Sequence, residues 1–226
     1  MVRTMPTRTS FDEVHALDAP FRKTETIIRR STLAIVRLFS RMRSRISQTS
    51  DLYVLMEIIY GTYNEAANVY RSCLVTAYEA AYRAAFPAGT PNANIAVSAF
   101  LSAYTTPEGY VPRAEWQRKR DRCFEAVVAA VQSGSPVKEA INTSRNLLVG
   151  QVRQGADDMT TRALADAYGA AGIERVEYVT QRDGRVCEEC RALDGQIYYI
   201  DSRPYLPRHH RCRCFFRPVV SSTDTA

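Results

Sequence analysis

Along the first three-quarters of the chain, apolar residues return every three or four positions, the period of a helix with one buried face. From Pro20 to Ile46, Ile27, Ile28, Ser31, Ile35, Leu38 and Met42 share one stripe, with arginines on its flanks. Ser50 or Asp51 offers an N-cap for the next helix. Its stripe is Leu52, Leu55, Ile59, Tyr63, Ala66, Tyr70, Leu74, Ala77 and Ala81, and the Pro87–Pro91 segment ends it near Phe86. A shorter helix is predicted over 93–104 and another over 112–131, with Trp116, Cys123, Val127 and Val131 inward. Ser135-Pro136 reads as N-cap and first-turn proline of a helix that reaches Ala170. Val137, Ile141, Leu148, Val152, Met159, Ala163 and Ala167 make its stripe, Gly155 is its weak point, and Gly172 stops it.

After Gly172 the period falls to two. Val176, Tyr178 and Thr180 alternate as in a strand, as do Ile197 and Tyr199, and Phe215 marks a later one. Asp183-Gly184 and Asp194-Gly195 are turn dipeptides. The chain therefore divides into an N-terminal arm (1–18), a helical body (19–172), a small module (173–220) and a tail (221–226). The fold class is mainly α: a multi-helix body followed by a small zinc-knuckle, β-containing C-terminal module. With no Gly/Ser linker at the change of period, the last helix is expected to lead directly into the module.

Composition adds little until charge is located. The 226 residues are 46% hydrophobic and 24% charged, ordinary for a globular chain. No apolar run approaches the ~20 residues of a membrane span, and the polar start does not read as a secretory signal. A soluble protein folded in a reducing cytosol, with no membrane partner, is the expectation. The formal charge is +6, unevenly placed. Arg22, Lys23, Arg29, Arg30, Arg37, Arg41, Arg43 and Arg45 lie in one stretch with a single acid, Glu25. Such a helix binds phosphates or an acidic protein surface, or is simply a solvated face. Tyr53, Tyr60, Tyr63, Tyr70, Tyr78 and Tyr82 on the second helix exceed one narrow stripe. They imply a broad core or a protein interface.

The densest chemistry lies near the end. Cys187 and Cys190 form a Cys-x2-Cys knuckle, and His209, Cys212 and Cys214 follow about twenty residues later. Four of the six cysteines and two of the three histidines fall within this segment. Thiolate and imidazole at this spacing point to a tetrahedral structural zinc, and a module this small needs a staple of that kind. Cys187, Cys190, His209 and Cys212 are the favoured four because His-x2-Cys gives each ligand its own turn; Cys214 is the rival fourth. Disulfides or buried thiols are the plain alternatives. A nucleobase deaminase would need His-x-Glu upstream, and no histidine lies between His15 and His209. An HNH-like nuclease would use His209-His210, but little chain remains after Cys214 to complete it. Cys73 and Cys123 read as small core residues.

The order of these pieces carries a resemblance. Val176 to Tyr198 contains an aromatic strand, Thr180-x2-Asp183, Arg185-Val186-Cys187-x2-Cys190 and Leu193-Asp194-Gly195; Pro207-x-His209-x2-Cys212-Arg213-Cys214 closes it. This resembles the C-terminal domain of the phage Mu F-like head morphogenesis (minor head, or minor capsid) proteins over about 45 residues. Tyr178 stands where the family usually has Trp, and Leu206-Pro207-Arg208 replaces a proline-rich run. The resemblance implies a virion or procapsid protein assembled in the host cytoplasm. It implies contact with the portal protein and with major capsid or scaffold proteins, and roles in head assembly and DNA packaging or ejection. It implies no catalysis, and its metal or site positions are Cys187, Cys190, His209, Cys212 and Cys214. A zinc-dependent nucleic-acid-processing enzyme and a zinc-containing DNA-binding protein remain as alternatives.

Overall fold

The computed structural model describes residues 19–86, 94, 95, 97–99, 113–180, 184–206, 208, 209, 212 and 214–219. The arm 1–18, most of the helix expected over 93–104, Asp183, His210, Arg211, Arg213 and the tail 221–226 lie outside them. Residues 94, 95 and 97–99 are helical.

Four long helices make the body: α1 (Ala19–Ile46), α2 (Leu52–Arg83), α3 (Arg113–Gln132) and α4 (Lys138–Ala170). Each buries most of the stripe its periodicity marks; Leu52, expected in the α2 stripe, is the first residue of that helix and is instead 48% exposed. On α1, Ile28, Ile35, Leu38, Phe39, Met42 and Ile46 are buried, while all eight basic residues from Arg22 to Arg45 are exposed. Asp51 caps α2, its carboxylate accepting from the Tyr53 and Val54 amides at 2.8 and 3.1 Å. The tyrosines of α2 resolve as a broad core. Tyr63, Tyr70, Tyr78 and Tyr82 are buried, and Tyr53 alone of the six is largely exposed, at 65%. Tyr63 and Tyr70 meet the Trp116 ring of α3. Cys73 and Cys123 are buried in the same core. Among the described residues, no helix is long and apolar enough to cross a membrane.

Two local readings change. Ser135 does not cap α4, which starts at Lys138 after Val137 with no side-chain cap. Ser135 instead ends α3. Gly134 adopts φ +67°, and the Ser135 amide donates to the Ala130 carbonyl at 2.8 Å, the closing bond of a Schellman turn. Gly155 is a contact point as well as a weak one. A Cβ there would lie 2.5 Å from the Tyr70 hydroxyl and 2.7 Å from Leu74 Cδ2, so the missing side chain lets α2 and α4 approach.

Gly172, at φ +74°, turns the chain out of α4 and into the sheet. Its strands are β1 (Arg175–Val179), β2 (Ile197–Tyr199) and β3 (Phe215–Pro218), antiparallel in the order β2-β1-β3. A short helix, α5 (Glu188–Leu193), lies between β1 and β2. Val176, Tyr178 and Phe216 form the buried face, with Tyr178 edge-on to Phe216. On β2 the expected alternation holds but points the other way: Ile197 and Tyr199 are exposed, and Tyr198 turns inward.

The sheet packs on the body through β3. The Tyr168 hydroxyl of α4 donates to the Phe216 carbonyl at 3.3 Å, and Phe21 of α1 meets Phe215 with ring centroids 5.5 Å apart. α1 and α4 are joined by a buried Thr24–Thr160 hydroxyl contact of 2.7 Å.

Gly155→Val should destabilise the protein by about 1–3 kcal/mol, because overpacking at Tyr70 and Leu74 outweighs any helix-propensity gain. Urea unfolding measures it; an unchanged midpoint would show that α2 and α4 are not in close contact there.

Candidate metal centre

The sheet brings together two stretches that are distant in sequence. Cys187 ends the turn after β1 and is the N-cap of α5, its sulfur accepting from the Cys190 amide at 3.4 Å. Cys190, one turn later, is buried. The second stretch precedes β3. The Cys212 amide donates to the His209 carbonyl at 3.0 Å, a tight turn that carries His209 and Cys212 toward the knuckle. Cys214 follows at the foot of β3 and is buried. His209 is exposed and Cys187 half-buried.

All five sequence-predicted ligand positions meet here. His209 Nε2 lies 3.1 Å from Cys187 Sγ and 3.4 Å from Cys190 Sγ, and Cys190 Sγ lies 3.9 Å from Cys212 Sγ. Two sets could each hold a metal ion, Cys187-Cys190-His209 and Cys190-Cys212-Cys214, with donor atoms within 4.8 Å of one another in each. Cys190 belongs to both and is the hub of the cluster. The six cysteines are all free thiols, so the structure holds no disulfide.

Electrostatics divide the sulfurs into pairs. The Cys214 thiol donates to Cys212, which brings Cys212 down to about 5 despite its burial. The same contact and burial push Cys214 up. The Cys190 amide holds Cys187 below the ordinary thiol range. Burial pushes Cys190 up, and the Tyr178 hydroxyl, donating to its sulfur at 3.3 Å, opposes that. Tyr178, fully buried on β1, is the contributor that spacing alone could not find. Its signal is the aromatic strand position opposite the knuckle.

Hydrogen bonds between side chain and backbone hold the turns around the cluster. The Asp194 carboxylate accepts from the Thr180 amide at 2.9 Å, tying the end of β1 to the turn before β2. Arg191 donates to the Val186 carbonyl and so braces the knuckle turn. The basic residues of α1 are not among its donors, and all are exposed: Arg22, Lys23, Arg29, Arg30, Arg37, Arg41, Arg43 and Arg45.

Beside the centre, on α4, Asp157 is pushed up to about 7, first by burial. Arg153 opposes this, and Glu25, Asp158 and Cys212 reinforce it.

Residues 123–217 match the family model of the phage Mu protein F like proteins. The matched segment takes in the second half of α3, all of α4 and the sheet with its cysteine-histidine cluster. It thus reaches well upstream of the motif-bearing residues. No curated protein matches the chain, and no solved structure does.

Asp157 generates a test. Its folded pKa lies above the unfolded value of about 3.9, so between about pH 4 and pH 7 the folded state binds more protons than the unfolded one. Its contribution to stability is therefore lost as pH rises through that window. Asp157→Asn should raise the Tm at pH 8 and flatten the fall between pH 5 and pH 8. Identical pH slopes for the two proteins would refute the buried-acid assignment.

Proposed function

We propose that this chain, phage Mu F-like over residues 123–217, is a minor head protein acting in phage head morphogenesis. Its C-terminal module is a zinc-held scaffold rather than an active site. The match is the observation that carries this reading: the family is one of phage head proteins, and the matched residues include the whole cluster.

The donor set fits zinc. Zn–S bonds of about 2.3 Å and Zn–N bonds of about 2.0–2.1 Å at tetrahedral angles place sulfurs about 3.8 Å apart and sulfur from nitrogen about 3.5 Å. The Cys190–Cys212 and Cys190–His209 separations of 3.9 and 3.4 Å agree with those edges, while Cys187 and His209, at 3.1 Å, stand closer than a bound ion would hold them. Cys187, Cys190 and His209 are three ligands of the set, with Cys212 or Cys214 as the fourth. Zinc there would neutralise thiolates and join the knuckle to the root of β3. Tyr178 would orient the Cys190 sulfur.

The scaffold reading leaves the helical body as the working surface. Its partners are the portal protein and the major capsid or scaffold proteins, with the protein carried in the procapsid and virion. Packaging or ejection of DNA is the step such a position serves. The alternative of a zinc-dependent nuclease requires a catalytic group beside the ion, and His210 is its candidate.

Purified protein should carry one zinc per chain. Chelation should unfold the module, and Cys190→Ser should abolish metal binding because Cys190 belongs to both ligand sets. Metal analysis with chelator titration of the near-UV circular dichroism signal reads this directly; an equally folded, metal-free protein would remove the scaffold. For assembly, the full chain should co-purify with portal protein expressed beside it. Portal rings that form without it and do not retain it when mixed would count against the head assignment.

A further inference from the structure

The net charge of the chain is concentrated on one helix. α1 carries eight basic residues and one acid, a charge of +7, whereas the other 198 residues together carry −1. The basic residues stand on the side of α1 away from the core. At 100° per residue, Arg22, Arg29, Arg30, Arg37 and Arg41 lie opposite Ile28, Ile35 and Met42, and all five are exposed.

Local acids do little to neutralise this face. Glu25, the single acid of α1, is engaged by Arg153 of α4 through two hydrogen bonds of 3.0 and 2.8 Å. Arg41 pairs with Glu65 at 3.3 Å, both side chains more than 60% exposed. Such a pair contributes little and exchanges readily. Among the described residues, Lys23, Arg29, Arg30, Arg37, Arg43 and Arg45 have no acidic partner.

We infer that the outer face of α1 is a track for the backbone of duplex DNA. Helix α1 is about 40 Å long at ~1.5 Å per residue, and duplex DNA carries one charge per about 1.7 Å of axis. A rigid row of guanidinium groups of that length can meet several successive phosphates. Guanidinium forks suit phosphate oxygens. The face has one large apolar residue, Leu33, and no row of aromatic platforms for unstacked bases, which favours duplex over single strand. Recognition through phosphates carries no sequence preference. The inference rests on charge placement and is independent of the head assignment, so a chain that does not engage portal protein can still satisfy it.

The test is fluorescence anisotropy of the full chain on two 20-base-pair duplexes of unrelated sequence, from 50 to 200 mM salt. Equal affinity for both duplexes is expected, falling by on the order of 10³ across that range if six or more phosphates are met. The variant R29Q/R30Q/R37Q should bind about tenfold or more weakly at 50 mM salt, with a log–log salt slope smaller by about 2–3. R29K/R30K/R37K should retain binding. R118Q/R122Q/K138Q loses the same charge at exposed positions on α3 and α4 and should keep the slope of the parent. Salt-insensitive or absent binding would overturn the inference. So would equal losses in the two glutamine triples. Poly-glutamate that displaces the duplex as well as unlabelled DNA does would instead identify the face as a site for an acidic protein surface.

Discussion

The fold of the C-terminal module depends on one closure, between the knuckle after β1 and the short run before β3. Three strands of five, three and four residues cannot enclose a core. An isolated sheet of that size is marginal in water. Two supports replace the missing interior. One is the thiol-imidazole cluster centred on Cys190, which fixes where β3 begins. The other is the side of the helical body, on which the Phe215 ring packs and to which the Phe216 carbonyl is bonded. The two are coupled, because Cys214 and Phe215 are consecutive. Whatever holds the cysteine also places the ring against Phe21.

Much of this is legible in the sequence because each local signal agrees with its neighbours. The α1, α2 and α4 stripes follow from spacing alone, and the Asp51 cap from its place before Leu52. Where a local reading fails, a nearby residue has taken the group for another purpose. Ser135 looks like a helix start, but its amide is consumed by the closing turn of α3, and Gly134 is the reason. Gly155 reads as low propensity; its value lies in contact with Tyr70, which no local window contains. The polarity of β2 is hidden for a similar reason. A three-residue edge strand carries too few positions to show which side is covered.

At the site, which residues come together is legible and how they are arranged is not. Spacing marks five donors, but it cannot show that Cys190 is shared by two groups of three or that Tyr178 bonds its sulfur. The first follows from the approach of the run before β3 to the knuckle, the second from β1, which carries Tyr178 to the Cys190 sulfur. The family match shows a second limit. The motifs reach back only to Val176, whereas the match begins at Cys123. The pattern that links α3 and α4 to the sheet is diffuse: small and apolar residues, with no marker residue to catch the eye. The unit so defined is a helical hairpin with its sheet, and α1, where the charge lies, is outside it.

That division bears on why α1 is built as it is. A helix N-terminus carries partial positive charge, so cations there are unfavourable by roughly 0.3–1 kcal/mol each. α1 begins with Arg22 and Lys23 and has no acid in its first turn. Its C-terminal arginines, Arg43 and Arg45, sit at the favourable end. The unfavourable end is the end that is clamped. Within five residues, Phe21 meets Phe215, the Thr24 hydroxyl meets Thr160, and Glu25 is gripped by Arg153. The first of these contacts reaches β3, directly after Cys214. Contacts of the cluster-bearing module and α4 thus offset the electrostatic cost of starting a helix with two cations. The basic face can then extend along the full helix, held rigid where an isolated helix of the same charge would fray.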